Sequence, residues 1–167
     1  MKVSVRARSA AVAVVAAGLV VVPLAAPSSA ALKPSVTCKK LTSKLVNGKA
    51  TSTISNCTPA ALAAGGTSTL SNTPPKGSPS GSFAMTITWK NGKGKTVVAV
   101  KFKLLPTPGK CPAGTTRIQG TGTVKSSTGV AKLIKVGEPF SSTVCTYVAK
   151  GPKQGQSSLY PGTVQKL

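Results

Sequence analysis

Alternation of apolar and polar residues is the feature that most constrains how this chain can fold. The alternation is clearest between Phe83 and Leu104, where large apolar residues recur at every second position on each side of an Asn91-Gly92 pair. Successive side chains of a β-strand point to opposite faces of the sheet, so this pattern predicts two strands that share one apolar face. Asn-Gly is a favoured sequence for a two-residue turn, and the stretch therefore predicts a β-hairpin.

Two registers of this hairpin agree with the alternation. A turn at Asn91-Gly92 pairs Ile87 with Thr96, whereas a loop two residues longer pairs Ile87 with Val98. Both registers place the apolar residues of the two strands on one face, and a slip by one residue would not. Trp89, the only tryptophan, falls at one of the alternate positions that form the apolar face. We therefore predict that it belongs to the core and not to a carbohydrate-binding surface.

The rest of the chain has the same character. Short alternating runs lie between residues that favour turns, and long helical periodicity is absent, which is typical of an all-β fold. We expect an antiparallel β-sandwich of about eight or nine short strands, either Ig-like or a flattened barrel. The best helix candidate is Thr58–Gly65, capped by Thr58. Gly120 and Gly122 fall on the inward side of a strand and indicate a bulge or a close backbone approach, beneath a large ring such as Trp89.

The first thirty residues predict a secretory signal peptide. Basic residues near the start precede a short apolar run, and Ser28–Ala30 supplies the small residues of a cleavage site. Pro23 and Pro27 interrupt the run before it reaches membrane-spanning length, so no membrane span is expected after cleavage. Residues 31–167 should then form a single secreted β-domain, extracellular or associated with the cell wall. An exposed loop rich in proline, glycine and serine is predicted at 71–82.

The four cysteines all follow the predicted signal peptide; they are Cys38, Cys57, Cys111 and Cys145. An even number of cysteines in an exported chain predicts two disulfides. We favour Cys38–Cys57 and Cys111–Cys145 among the possible pairings, because each closes a local loop between neighbouring strands. The competing use, a zinc site, would need a Cys-x-x-Cys spacing or histidines, and the sequence has neither. No metal is therefore expected.

The net charge is strongly positive. The chain has 22 lysines and arginines against one acid, Glu138, and a formal net charge of +21. Without Lys2, Arg6 and Arg8 of the predicted signal peptide, 19 basic residues remain and the net charge is +18. A charge of this size attracts anionic polymers of any kind.

The candidate residues for binding anionic polymers are the lysines of the hairpin: Lys90, Lys93, Lys95, Lys101 and Lys103. The alternative is that these lysines are part of a solvated charge spread evenly from Lys33 to Lys166. Nucleic acid is not the expected partner, because modules that bind it usually interleave stacking aromatic residues with the basic ones.

The residues that the sequence lacks exclude most enzyme classes. Without histidine or aspartate, the chain has no Ser-His-Asp or Cys-His arrangement. Glu138 alone cannot supply the paired carboxylates of a glycosidase or the ligand set of a metallohydrolase. The remaining route is a serine paired with a lysine base, but the motifs Ser-x-x-Lys and Lys-Thr-Gly are absent. We expect no enzymatic activity and no cofactor, and we expect Glu138 to form a surface ion pair.

Several segments together resemble small exported, β-rich, four-cysteine proteins of actinobacteria. The resemblance covers most of residues 31–167 and implies a secreted all-β protein, without implying an activity or any site residue. It rests on the segments ISNCT, MTITWKNGK, CPAGTTRIQGTGTVKSSTG and LYPGTVQKL.

The sequence therefore predicts a secreted, basic, non-enzymatic β-domain. Its expected role is that of a cell-envelope binding or structural protein whose lysine-rich surface meets anionic wall polymers. The alternative is a secreted effector or inhibitor that binds an extracellular partner protein through the loop at 71–82. The specific ligand, the strand order and the oligomeric state stay open at this point.

Overall fold

The computed structural model describes residues 33–46, 49–72, 77–148 and 151–167. The predicted signal peptide, residues 1–30, lies outside the described residues. The strands are β1 (Thr37–Val46), β2 (Lys49–Thr58), β3 (Gly66–Ser71), β4 (Ser80–Trp89), β5 (Gly94–Leu104), β6 (Thr115–Ser127), β7 (Pro139–Tyr147), β8 (Ser157–Leu159) and β9 (Gln165–Lys166). Two short 3₁₀ helices, Ala60–Leu62 and Gly129–Leu133, lie in the connections after β2 and β6.

The strands form one antiparallel sheet that closes into a barrel. Strands β1 to β7 follow one another around it, and each is hydrogen-bonded to the next. β8 closes the ring by pairing with both β7 and β1, and the short extra strand β9 pairs with the same two neighbours. The prediction of an all-β fold is confirmed. The predicted Ig-like sandwich is wrong. A sandwich consists of two separate sheets with free edges, whereas here β8 is hydrogen-bonded to both β7 and β1 and closes one continuous sheet.

The β4–β5 hairpin adopts the first of the two predicted registers, with Ile87 opposite Thr96. Asn91 and Gly92 have positive φ angles of 56° and 67°, as a type I′ turn requires at both central positions. The prediction for Trp89 is also confirmed, since its side chain is 2% exposed. Its indole N–H donates to the Thr96 hydroxyl at 2.9 Å, which satisfies the one polar atom of the ring.

Consecutive antiparallel strands alternate in direction, so the connections after β2, β4 and β6 lie together at one end of the barrel. Buried side chains fill this end, which we call the plugged end: Val36, Ile54, Leu62, Ile87, Trp89, Ala131, Ile134 and Leu167. The connection after β6 is tied to the hairpin turn by a hydrogen bond from the Ala131 N–H to the Lys93 carbonyl, at 2.9 Å. The opposite end, where β5 and β7 end and β4 begins, is the open end.

Glu138 is part of the plugged end and not of the surface. Its side chain is 2% exposed and accepts hydrogen bonds from the Ser35 N–H (3.0 Å), the Ser35 hydroxyl (2.6 Å) and the Lys135 N–H (2.9 Å). The predicted surface ion pair is therefore wrong. The carboxylate instead joins the segment before β1 to the connection after β6, where neutral N–H and O–H donors satisfy it.

Two local predictions need correction. The predicted helix at Thr58–Gly65 is only the single 3₁₀ turn Ala60–Leu62. Thr58 does not cap it, because Thr58 ends β2 and its hydroxyl bonds to the Thr37 hydroxyl at 2.7 Å.

The predicted loop at 71–82 is shorter than expected. Ser71 still belongs to β3 and Ser80 already begins β4, and residues 73–76 lie outside the described part of the chain.

The close backbone approach predicted at Gly120 and Gly122 of β6 is present, whereas the bulge of this strand lies further along, at Lys125. Val97 lies opposite Ser126 while Val98 lies opposite Val124, so β6 carries one extra residue at this point. A Cβ atom on Gly122 would overlap the carbonyl oxygen of Ala99. The ring beside these glycines is nevertheless Phe140 and not Trp89, because Trp89 lies at the plugged end.

Both predicted disulfides are confirmed. Cys38 and Cys57 are directly opposite each other on β1 and β2, with their Cα atoms 4.0 Å apart. Cys111 lies in the connection between β5 and β6 and is bonded to Cys145 of β7, with a Cα–Cα distance of 5.5 Å. The first bond fixes β1 to its neighbour, and the second holds a loop of the open end against the barrel wall.

We expect Glu138→Ala to destabilise the protein by about 3 kcal/mol. The substitution leaves the Ser35 and Lys135 donors without their charged acceptor, and hydrogen bonds to charged groups contribute about 1.5–3 kcal/mol each. Urea unfolding at neutral pH with the disulfides intact measures the change. Lys132→Ala, at an exposed position of the same connection, is the control and should change stability by less than about 0.5 kcal/mol. Equal effects of the two variants would contradict a structural role for the carboxylate.

Candidate functional site

The inward side chains of the barrel leave a cavity towards the open end, which we call the lumen cavity. Its volume is about 310 Å³. Every strand contributes to its wall, and the lining residues are Leu41, Ser43, Ala50, Ser52, Ser68, Leu70, Phe83, Met85, Val100, Phe102, Ile118, Gly120, Phe140, Ser142, Val144, Thr146, Gly155, Ser157 and Gln165.

The wall of the lumen cavity is uncharged and mostly apolar. The Phe83 and Phe102 rings lie side by side on β4 and β5, with centroids 5.9 Å apart and planes tilted by 37°. The polar groups among the lining residues are hydroxyls and a single amide. Ligand sites of proteins typically combine an apolar wall with a few placed polar groups of this kind.

Small residues explain why the open half of the barrel is not filled. An eight-stranded barrel is just wide enough for its side chains to fill it or to hold one small ligand. At Gly120 of β6, a Cβ atom would lie 3.3 Å from Val100 Cγ1 and 3.5 Å from Phe140 Cε1. A Cβ atom there would already be in tight contact, so glycine lets Val100 and Phe140 pack close to the backbone of β6. Alanine, serine and glycine at the lining positions leave part of the interior unfilled, whereas isoleucine and tryptophan fill the plugged end.

Two buried polar atoms of residues that line the lumen cavity have no hydrogen-bond partner among the described residues. They are the Ser142 hydroxyl oxygen and the Gln165 amide nitrogen Nε2. Gln165 is 1% exposed, so bulk solvent does not reach its side chain. By contrast, the Thr146 and Ser157 hydroxyls, which also line the cavity, bond to each other at 2.8 Å.

The rim of the open end is held in place by a second cluster. The Lys110 backbone N–H donates to the Tyr160 hydroxyl at 3.0 Å, and the Arg117 guanidinium lies 5.3 Å from the centre of the Tyr160 ring. This backbone hydrogen bond lowers the pKa of Tyr160 below its ordinary value, and Arg117 contributes in the same direction. Together with the Cys111–Cys145 bond, the cluster fixes the connection between β5 and β6 to the segment after β8.

The structure divides the candidate lysines into two groups. Lys90, Lys93 and Lys95 surround the hairpin turn at the plugged end, whereas Lys101 and Lys103 lie further along the outer face of β5. At about 3.4 Å per residue, Lys95 and Lys101 are roughly 20 Å apart along the strand. The hairpin lysines thus do not form one compact patch, and their binding role stays a prediction.

Exposed lysines are also spread over the rest of the barrel. Among the lysines whose side-chain burial the structure describes, all but Lys93 are exposed, and Lys93 is half-buried. The chain's single side-chain carboxylate, Glu138, is buried in the plugged end. The lysines therefore have no side-chain carboxylate beside them on the surface.

The lumen cavity was not predicted from the sequence, although the alternation contains a signal for it. Serines take inward positions two residues away from large apolar ones, as in Leu41 and Ser43 of β1 or Phe140, Ser142 and Val144 of β7. Small polar residues at inward-facing positions of several strands indicate that part of the interior is not packed.

The fold and this site define an antiparallel eight-stranded β-barrel with one uncharged lumen. Comparison of the chain with known protein families, with curated proteins and with solved structures finds no match. Within the described ranges, no helix has the length and apolar character needed to cross a membrane.

Proposed function

We propose that this chain is a secreted, non-enzymatic binding protein that holds one small, mostly apolar molecule in its lumen cavity. The observation that carries the proposal is the uncharged cavity of about 310 Å³, to which every strand of the closed barrel contributes. Secretion is supported by the predicted signal peptide and by the two disulfides, which persist in oxidising compartments.

The cavity volume limits the size of the ligand. Because one water occupies about 30 Å³ of liquid, the lumen cavity has room for roughly ten non-hydrogen atoms. Burying about 250 Å² of apolar ligand surface contributes at most about 6 kcal/mol, which corresponds to a Kd of tens of micromolar. The ligand class is therefore a compact aromatic or short-chain compound, and a long lipid chain would not fit.

The frame around the cavity is suited to binding without rearrangement. The barrel is closed, and the Cys111–Cys145 bond and the Tyr160 cluster hold the rim. A preformed cavity binds more tightly than one that must be ordered, because less conformational entropy is lost on binding.

Filling the lumen cavity from within should weaken binding. We expect butylbenzene and benzylacetone, two probes of ten and eleven non-hydrogen atoms, to bind the wild-type protein with a Kd of tens of micromolar. Gly120→Val should weaken both at least tenfold, because it adds a bulky side chain at a lining position where even the Cβ atom would lie 3.3 Å from Val100 Cγ1. Isothermal titration calorimetry measures the affinities.

Thr121→Val is the matched control for this experiment. It introduces the same side chain one residue away, at an exposed position on the outer face of the barrel. Binding by this variant should equal that of the wild type, and thermal unfolding should show that both variants are folded. Failure of the wild type to bind either probe, or equal binding by both variants, would contradict the proposal.

A second candidate function is retention on anionic cell-wall polymers, the role predicted from the charge. Its specific support is the burial of Glu138, which leaves the exposed lysines without a neighbouring carboxylate. The attraction would come from the whole surface, because the basic residues are spread over it. This role uses the outside of the barrel and is compatible with a ligand inside.

We expect the protein to be retained on isolated cell walls up to salt concentrations above the physiological value of about 0.15 M. Two double variants locate the attraction: Lys101→Gln with Lys103→Gln on β5, and Lys90→Gln with Lys95→Gln at the hairpin turn. If total charge governs retention, both should lower the eluting salt concentration by similar amounts. A large effect of one pair alone would indicate a local patch, and elution below physiological salt would refute this function.

A further inference from the structure

Gln165 and Ser142 are the lining residues whose polar atoms most need a partner. In the described part of the chain, three buried side-chain polar atoms have no hydrogen bond, and two of them are Gln165 Nε2 and Ser142 Oγ. Native interiors rarely leave such atoms unpaired. Two of them belong to residues that line one cavity, which points to a polar group from outside the chain as their partner.

The two residues are neighbours across the seam of the barrel. Ser141 of β7 lies opposite Lys166 of β9 in an antiparallel pair, so Ser142 lies opposite Gln165 at the next position of the register. Side chains at opposite positions have Cβ atoms about 4.5–5.5 Å apart and share one face of the sheet. The serine hydroxyl and the glutamine amide can therefore donate to the same atom.

The free space of the cavity adjoins this pair. Gly120 of β6 lies opposite Ser142 on the other side of β7, so a glycine, a serine and a glutamine follow one another across three strands. All three residues line the lumen cavity, and so do the apolar residues Val100 and Phe140. A molecule with its apolar body against these side chains would bring a polar end to Ser142 and Gln165.

We propose that Gln165 and Ser142 anchor the carbonyl oxygen of a small, neutral, mostly apolar ketone, ester or amide. A carbonyl oxygen has two lone pairs and can accept from both donors at once. A carboxylate is disfavoured, because no lysine or arginine lines the cavity and a buried charge without a partner is very costly. This inference rests on the proposed function and specifies its ligand class.

The two probes differ in the group that the inference requires. Benzylacetone carries a ketone oxygen, and butylbenzene is a hydrocarbon of nearly the same size. Gln165→Met keeps the length of the side chain and removes the amide. We expect it to weaken benzylacetone about tenfold and to leave butylbenzene within about twofold, because only one probe loses a hydrogen bond.

Two further variants complete the design. Lys166→Met introduces the same methionine side chain at the next residue, which is exposed, and should change the affinity for neither probe. Ser142→Ala removes a single oxygen and should weaken benzylacetone about threefold while sparing butylbenzene. If Gln165→Met does not fold, the affinities of Ser142→Ala for the two probes alone test the inference. Ligand-free Gln165→Met should melt no lower than the wild type, because it removes an unpaired buried amide.

The outcomes separate this inference from the function on which it rests. If the wild type binds neither probe, the proposed function itself is wrong. If it binds both, and both Gln165→Met and Ser142→Ala change the two affinities equally or not at all, the barrel binds apolar molecules but the anchor is refuted. Water would then be the only partner of the two polar atoms. A selective loss of benzylacetone affinity in either variant supports the anchor.

Discussion

Closure of the sheet between its first and last strands is the constraint on which the rest of the structure depends. β1 meets β8 at Thr42 and Ser158, and it meets β9 at Thr37 and Lys166, more than a hundred residues further along the chain. Without this seam the sheet would have two unpaired edges, and its apolar face would be open to water. The Cys38–Cys57 bond fixes β1 to β2 beside the seam. The lumen cavity exists only because these pairings complete the ring.

The two ends of the barrel differ in packing: the plugged end is filled with side chains, and the open end contains the lumen cavity. At the plugged end, Trp89 and its buried neighbours form a packed core, and Glu138 ties two connections together. At the open end, a dry void of the observed size would cost about 7 kcal/mol at about 24 cal/mol per Å³. That is comparable to the whole stability of a typical domain. The cavity must therefore be filled by water or ligand, with the hydrogen-bonded ring and the disulfides holding it in shape.

Local features of this chain could be predicted from the sequence, and features that depend on distant residues could not. Alternation and the Asn91-Gly92 turn specify the hairpin and place Trp89 in the core. Alternation assigns faces, but it does not determine whether the outermost strands meet, so it could not separate a barrel from a sandwich. Glu138 was misjudged because its partner Ser35 is 103 residues away. The anchor pair was missed for the same reason, since the register of β7 and β9 brings Ser142 and Gln165 together.

The arrangement of charge connects the two proposed roles. The exposed lysines lie on the outside of the barrel, whereas the lining of the lumen cavity carries no charge. Residues 31–167 have a formal net charge of +18, and the field of so basic a surface concentrates anions around the protein. An anion that entered the cavity would nevertheless lose its hydration without meeting a cation there. In the two proposed roles, the outer surface would therefore bind anionic polymers and the interior neutral molecules. Because the two sites select for opposite properties, anionic polymers bound outside would not compete for the cavity.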